Sequence, residues 1–334
     1  MEEGILLDAG SGGAASQRLI QDIFLEQFSN EILLAGDDAA LLSAEPGRIA
    51  LSTDSYTVEP LFFPGASIGK LAVNGTVNDV AMLGAAPLYL AAAFIIEEGL
   101  PVGILRAIVA DMAEACAGAG VKIVAGDTKV VPKGACDKIF IATSGIGRVL
   151  VDPAPSGSSA QPGDAVLVSG SMGDHGLAVM AARNDLSFLS DARSDCAPLA
   201  QMVQAILAAS PAHVLRDPTR GGLATTLNEI AQQSQVSIVI DEASIPVHAS
   251  VAEGCSFLGL DPLYLANEGK CICIVPAEYA AAALAAMRGS PYGGESAIIG
   301  RVAAERPGKV ILRTRLGGQR LLAMLEGAPL PRIC

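Results

Sequence analysis

Apolar residues recur along the chain at two periods, and the alternation between them predicts an α/β protein. After a glycine-rich segment at 10–13, Leu19, Ile20, Ile23, Phe24 and Phe28 fall at helical spacing and predict an amphipathic helix. Positions 48–52 predict a strand ending at Thr53-Asp54, and 67–83 a helix broken near Gly75. A strand is predicted over 88–95. Ile104, Leu105, Ile108, Val109, Met112 and Cys116 mark one face of the next helix. A short buried strand at 121–125 runs into Gly126-Asp127-Thr128, and another strand covers 139–149.

Residues 152–163, DPAPSGSSAQPG, gather Pro, Gly and Ser and predict a linker. Beyond it the pattern restarts, with strands at 165–169, 237–240, 271–275, 298–302 and 310–313. Helices are predicted at 176–183, 199–209, 222–233 and 277–287. The chain therefore divides into an N-terminal α/β domain (1–151), the linker, a C-terminal α/β domain (164–325) and a tail (326–334). In the tail, EGAPLPRIC, Pro329 and Pro331 remove two backbone donors and favour extended structure. A frayed terminus is the plain reading of such a tail. The alternative is an arm that delivers its last residue, Cys334, into a site.

Composition narrows the class. Hydrophobic residues make up 51% of 334 and there is no Trp, so the core is built from Ala, Val, Ile and Leu, as in helix-covered sheets. The net charge of -13 carries no basic stripe for nucleic acid. The most apolar stretch, 80–96, contains Gly84 and Pro87 and is short for a membrane span; a buried helix–loop–strand is expected. The N-terminus lacks a signal-peptide pattern, so a cytoplasmic protein is expected. Seven scattered cysteines without a Cys-x-x-Cys pair argue for reduced, buried thiols rather than zinc ligands.

Candidate chemistry concentrates in the first half. Asp37-Asp38, Asp54, Asp79 and Asp127 sit beside predicted element ends, where carboxylates suit Mg2+ and, through it, nucleotide phosphates. Turns and helix caps would explain the same residues singly. Lys70, Asn74 and Asn78 share a helix face, but Asp79 points away from Lys70 unless the helix breaks near Gly75. The loop 10–13 offers backbone N–H groups to an anion without being a P-loop. In the second half Asp217, Arg220, Gly221 and Gly222 precede a helix, an arrangement that admits an anion. Glu268, in the segment NEGK, is a candidate general base, and His175 lies in GDHG, where exposure is expected.

These segments together resemble a known family. GSGG, STDSYTVEPLFFPG, IGKLA, GTVNDVAMLGA, FIIEEGLP, GDTKVV, VSGSMGDHG, RDPTRGGLATTLNE, LANEGK and the terminal PRIC resemble the HypE family of hydrogenase maturation factors. That family belongs to the PurM-like (AIR synthetase-like) superfamily, and the resemblance runs from residue 10 to 334. It implies a two-domain fold whose N-terminal domains form a dimeric β-barrel. It implies ATP near that interface and Mg2+ on Asp38, Asp54, Asp79 and Asp127, with Asp37 adjacent. Gly12, Lys70, Asn74 and Thr128 would lie near the nucleotide. Cys334 would carry a carbamoyl group delivered by the HypF carbamoyltransferase. ATP-dependent dehydration would convert it to a thiocyanate, whose cyanide passes to the [NiFe] hydrogenase iron on HypC–HypD.

The implied chemistry is coherent. An amide oxygen leaves poorly until phosphorylated, and loss of the N–H protons then completes the C≡N bond. Glu268 is the expected base, and Lys129 the group that polarises the amide. The family commonly reads His-Gly-Ser-Gly-Gly near its start; here Asp8-Ala9 precede Gly10. A selenophosphate synthetase-like activity would want a reactive Cys near that loop, whereas the first cysteine is Cys116. A non-catalytic thiol carrier would have no use for the clustered aspartates.

Overall fold

The first half builds one sheet and lays two helices on it. The computed structural model describes residues 4–10, 13–35, 39–40, 42–43, 46–184 and 191–324. Short helices α1 (Gly13–Leu19) and α2 (Glu26–Phe28) flank a π-helical stretch, Ile20–Leu25. Then come β1 (Ile49–Tyr56), a small hairpin of β2 (Phe62–Phe63) and β3 (Ala66–Ser67), and α3 (Ile68–Met82). They are followed by β4 (Ala85–Glu97), α4 (Val102–Ala119), β5 (Lys122–Val131) and β6 (Ile139–Val149). The sheet order is β1-β6-β4-β5, so β1 and β5 are its edges.

Period-2 alternation gives this sheet two unlike faces. Ala50, Tyr56, Ile139, Ile141 and Thr143 are buried under α3. Gly145 and Gly147 let α3 lie close, because a Cβ there would press on Thr76 and Val80. The outward face leaves Ile49 65% and Leu51 68% exposed. Ser67 caps α3, its hydroxyl accepting the Lys70 N–H. Every α3 residue except Lys70 and Asp79 is buried. The helix is unbroken through Gly75, which corrects the expected interruption.

The second half contributes β7 (Ala165–Val168), α5 (Asp174–Arg183), α6 (Ala200–Ala209), β8 (Val214–Arg216), α7 (Gly222–Ser234) and β9 (Ser237–Asp241). It continues with α8 (Ala249–Leu258), β10 (Ile272–Val275), α9 (Ala280–Arg288), β11 (Ala297–Ala303), β12 (Lys309–Arg313) and β13 (Gln319–Leu321). Its sheet runs β13-β12-β9-β11-β7-β10-β8. β7 and β10 are buried on both faces, hence their unbroken apolar runs. Leu167, Cys271 and Cys273 face a core shared with the first half, where Leu71, Ile108 and Met112 meet Met202, Val203 and Ile206. Val166, Val168, Ile272 and Ile274 face a second core under Leu223, Leu227 and Ile230 of α7.

Several expectations are revised. The strand expected at 88–95 extends over 85–97 and takes in Pro87, next to a bulge. The strand expected at 121–125 continues through Asp127 and Lys129 to Val131. Asp54 likewise lies inside β1 and Asp79 inside α3, not at loop ends. His175 is fully buried, its ring edge-on to Phe63 at 5.5 Å and its Nδ1 2.9 Å from Ser194 Oγ. β8, α8 and β13 had no clear apolar period. The six described cysteines are free, four of them buried. Among the described residues no helix is long and apolar enough to cross a membrane.

Candidate active site

Strand register explains where carboxylates collect. β10 pairs antiparallel with β8, Ile272 opposite Arg216. The residue that leaves β8, Asp217, therefore lies beside the loop that enters β10 and carries Glu268. The C-terminal turns of α3 meet the same place, bringing Asp79. Asp54 shares the inner face of β1 with Ser52 and Tyr56. Together they line a cavity of about 550 Å³, with Gly75, Arg216, Arg220 and Glu229.

The joint is braced by amides. Asn78 Nδ2 donates to the carbonyls of Ala197 (3.0 Å) and Glu268 (3.3 Å), and its Oδ1 accepts from Leu199 N–H (2.8 Å). Asn267 accepts from Gly173 N–H (2.7 Å) and donates to Pro218 O (3.0 Å). Glu268 is thus fixed between two buried asparagines.

Electrostatics in the cavity favour protons or cations. Burial raises the Asp79 carboxyl above its usual range and Asp54 adds to this; a hydrogen bond from Ser52 (2.7 Å) opposes it. Asp217 is pushed up to about 7, by burial first and then by Asp79. Glu268 is pushed well above the usual carboxylate range by burial, then by Asp217, Asp195, Asp54 and Asp79. Arg216 is committed to Glu229 (2.6 Å), while Arg220 has no hydrogen bond or ion pair among the described residues. An all-oxygen donor set short of positive charge fits a hard divalent ion such as Mg2+. Among the described residues no three acidic, His or Cys groups complete a metal site.

The end of the described chain is tied to α7 and to Tyr264. Asn228 of α7 donates to Leu322 O (2.8 Å), and Tyr264 OH donates to Ala323 O (2.9 Å). Thr226 and Glu229 of the same helix line the cavity.

Known proteins share this fold. Residues 36–149 match the model of AIR synthase related protein, N-terminal domain, and 161–313 that of its C-terminal domain. "Carbamoyl dehydratase HypE" of Cupriavidus necator is 53% identical over 97% of this chain and 93% of its own. The chain belongs to the HypE family. A crystal structure of hydrogenase maturation protein HypE in complex with ATP superposes with a TM-score of 0.96 at 60% identity, covering 98% of this chain and 99% of the other. A HypE-HypF complex matches at 0.81 and 51%, covering 92% and 99%.

Set within this HypE-family fold, the residues singled out in the sequence divide into groups. Asp54, Asp79 and Glu268 come together, joined by Asp217 and Arg220. Asp127 and Lys129 lie on the outward face of the far edge strand and pair with each other at 3.1 Å. That edge is three strand spacings, about 14 Å, from β1, so one protomer does not unite them with Asp54. Thr128 borders a smaller cavity of about 280 Å³ with Phe24 and Phe94. Lys70 and Asp79 are half a turn apart around α3. Lys70 pairs with Glu114 at 2.9 Å, which raises its pKa, and Asn74 donates to Cys196 Sγ at 3.4 Å. Gly12, Asp37, Asp38 and Cys334 lie outside the described residues. Tyr56, Arg216 and Glu229 went unnoticed in the sequence. For Tyr56 the signal was there, two positions after Asp54 and so on the same strand face.

Proposed function

We propose that the protein is an ATP-dependent carbamoyl dehydratase acting on its own C-terminus. In this reading Cys334 holds an S-carbamoyl group, and dehydration turns it into a thiocyanate that supplies cyanide for [NiFe] hydrogenase iron. The observation that carries the reading is the half-buried carboxylate cavity, with the C-terminal chain bonded to α7, the helix whose Thr226 and Glu229 line that cavity. Ten residues follow Met324; extended, they reach about 33 Å, ample for Cys334 to enter. The ATP complex of the 60% identical relative supports ATP as co-substrate.

The roles follow from the chemistry of each group. Asp54 and Asp79, with Asp38, would hold Mg2+, whose charge supports phosphoryl transfer to the carbamoyl oxygen. Glu268 takes an N–H proton; as a buried carboxylate it holds that proton firmly once received. Arg220 offers a free guanidinium to an anion entering the cavity.

A homodimer would complete the site. Among the described residues β1 and β5 are the edges of the sheet, and its outward face exposes Ile49, Leu51 and Ile95. Two such sheets joined edge to edge close a barrel, removing both edges and the exposed apolar face. The joint would lay the edge carrying Asp127, Thr128 and Lys129 along the β1 edge of the other copy. HypF, solved with a relative, would deliver the carbamoyl group and HypC–HypD would take the cyanide. Free buried thiols suit a reducing cytoplasm.

The test is mass spectrometry of the C-terminal peptide after incubation with HypF, carbamoyl phosphate and Mg-ATP. Gain of a carbamoyl group followed by loss of one water is expected. A carbamoyl adduct that persists with Mg-ATP present would overturn the proposal.

A further inference from the structure

The loop bearing Glu268 has no helix or strand of its own, so its geometry comes from what it touches. Asp195 is one such group. Its Oδ1 accepts the Glu268 backbone N–H at 3.0 Å. Its backbone passes so close that a Cβ on Gly269 would fall 1.8 Å from the Asp195 carbonyl oxygen. The Asp195 side chain is 3% exposed, and Oδ2 makes no hydrogen bond among the described residues. Lys270 Nζ, itself nearly buried, faces that oxygen at 3.4 Å.

We propose that Asp195 is a positioning residue for the dehydration step: one carboxylate oxygen fixes the Glu268 backbone, while the other keeps a buried negative charge beside Glu268, offset by Lys270. The inference rests on Glu268 being the base. A base must be ionised, and a neighbouring negative charge opposes ionisation. The other charged and titratable groups near Glu268 are Asp217, Asp54, Asp79 and the Cys196 thiol, with Tyr56, Arg216, Arg220 and Glu229 in the same cavity. Asp195 differs from these carboxylates in also gripping the Glu268 backbone, so geometry and charge can be separated by substitution.

The experiment is single-turnover phosphate release from protein pre-carbamoylated on Cys334, at saturating Mg-ATP, across pH. Asp195→Asn keeps the Oδ1 acceptor and removes the charge. The acid limb of the rate profile should move to lower pH by about half a unit or more. Lys270→Gln leaves the Asp195 charge unbalanced, and the limb should move the opposite way. Asp195→Ala also loses the anchor, and its plateau rate should fall about tenfold or more below that of Asp195→Asn. Opposite displacements cannot come from a general loss of stability, and each limb is read relative to its own plateau. Limbs that stay put or move together, with Glu268→Gln inactive, overturn the role of Asp195 and leave Glu268 standing. Full activity of Glu268→Gln overturns both.

Discussion

Gly75→Ala tests how α3 is seated against β1. A Cβ at Gly75 would fall 2.4 Å from Tyr56 Oη and 3.1 Å from Cε1 and Cζ of the same ring. Tyr56 cannot retreat freely, being 2% exposed. Its hydroxyl shares a hydrogen bond with Thr76 Oγ1 (3.1 Å), which pairs with Thr143 Oγ1 (2.6 Å); that group also bonds Ala72 O (2.8 Å). Alanine is favoured over glycine inside a helix by about 1 kcal/mol. Against this, crowding costs about 1–3 kcal/mol, and stranding the hydroxyl about 1–3 kcal/mol. The net expectation is a loss of about 1–5 kcal/mol. In a Tyr56→Phe background the 2.4 Å contact and the hydroxyl are both gone, and the remaining 3.1 Å contacts need only a small ring shift. There Gly75→Ala should be neutral or stabilising by up to about 1 kcal/mol. Urea unfolding of the four proteins, with unchanged m values, gives the coupling directly. Equal costs in the two backgrounds would refute the reasoning.

Three further outcomes are expected. Cys334→Ala should abolish thiocyanate formation yet bind ATP within about twofold of wild type, by mass spectrometry and calorimetry; collapse of ATP binding would show that the tail does more than carry the group. Asp217, raised to about 7 in the folded protein, is stabilising in its protonated form, and that contribution is lost as pH rises through about 7. Asp217→Asn should therefore gain stability relative to wild type as pH rises from about 4 to about 7, and urea midpoints with a constant difference across that range would contradict it. Leu51→Glu buries unpaired charge if the outward sheet face joins two copies; sedimentation should show monomer, and an undisturbed dimer would place the interface elsewhere.

Much of the fold was legible because burial enforces period. β7 and β10 read as continuous apolar runs since both faces are covered, and Cys271 and Cys273, two positions apart, share one of those faces. Gly75 was misread because its reason is tertiary. Glycine locally weakens a helix, but here it makes room for Tyr56, nineteen positions earlier in the chain. Asp54 and Asp127 suggested loop ends because Asp and Gly are rare in central strands. Both lie in edge strands, where polar residues and a break in pairing are tolerated. His175, between a polar residue and a glycine, gave no hint that it would pack against Phe63 across the joint.

The candidate site was legible as residue types but not as an assembly, and sheet register is the reason. Asp217 and Glu268 are 51 positions apart, and each is unremarkable in its own turn. They meet because β8 ends where antiparallel β10 begins, a consequence of Ile272 lying opposite Arg216. The same β10 residue lies opposite Val168, so the end of β7 arrives there too, bringing Gly170 against Lys270. Local sequence carries no record of such a register, because it is set by which apolar faces the two cores bury. Once set, it gathers carboxylates faster than cations. That imbalance, more than any one aspartate, supports the proposal that the cavity takes a bound cation and a proton acceptor. Asp127, which the family resemblance groups with Asp54 and Asp79, lies on the opposite edge of the sheet within one protomer.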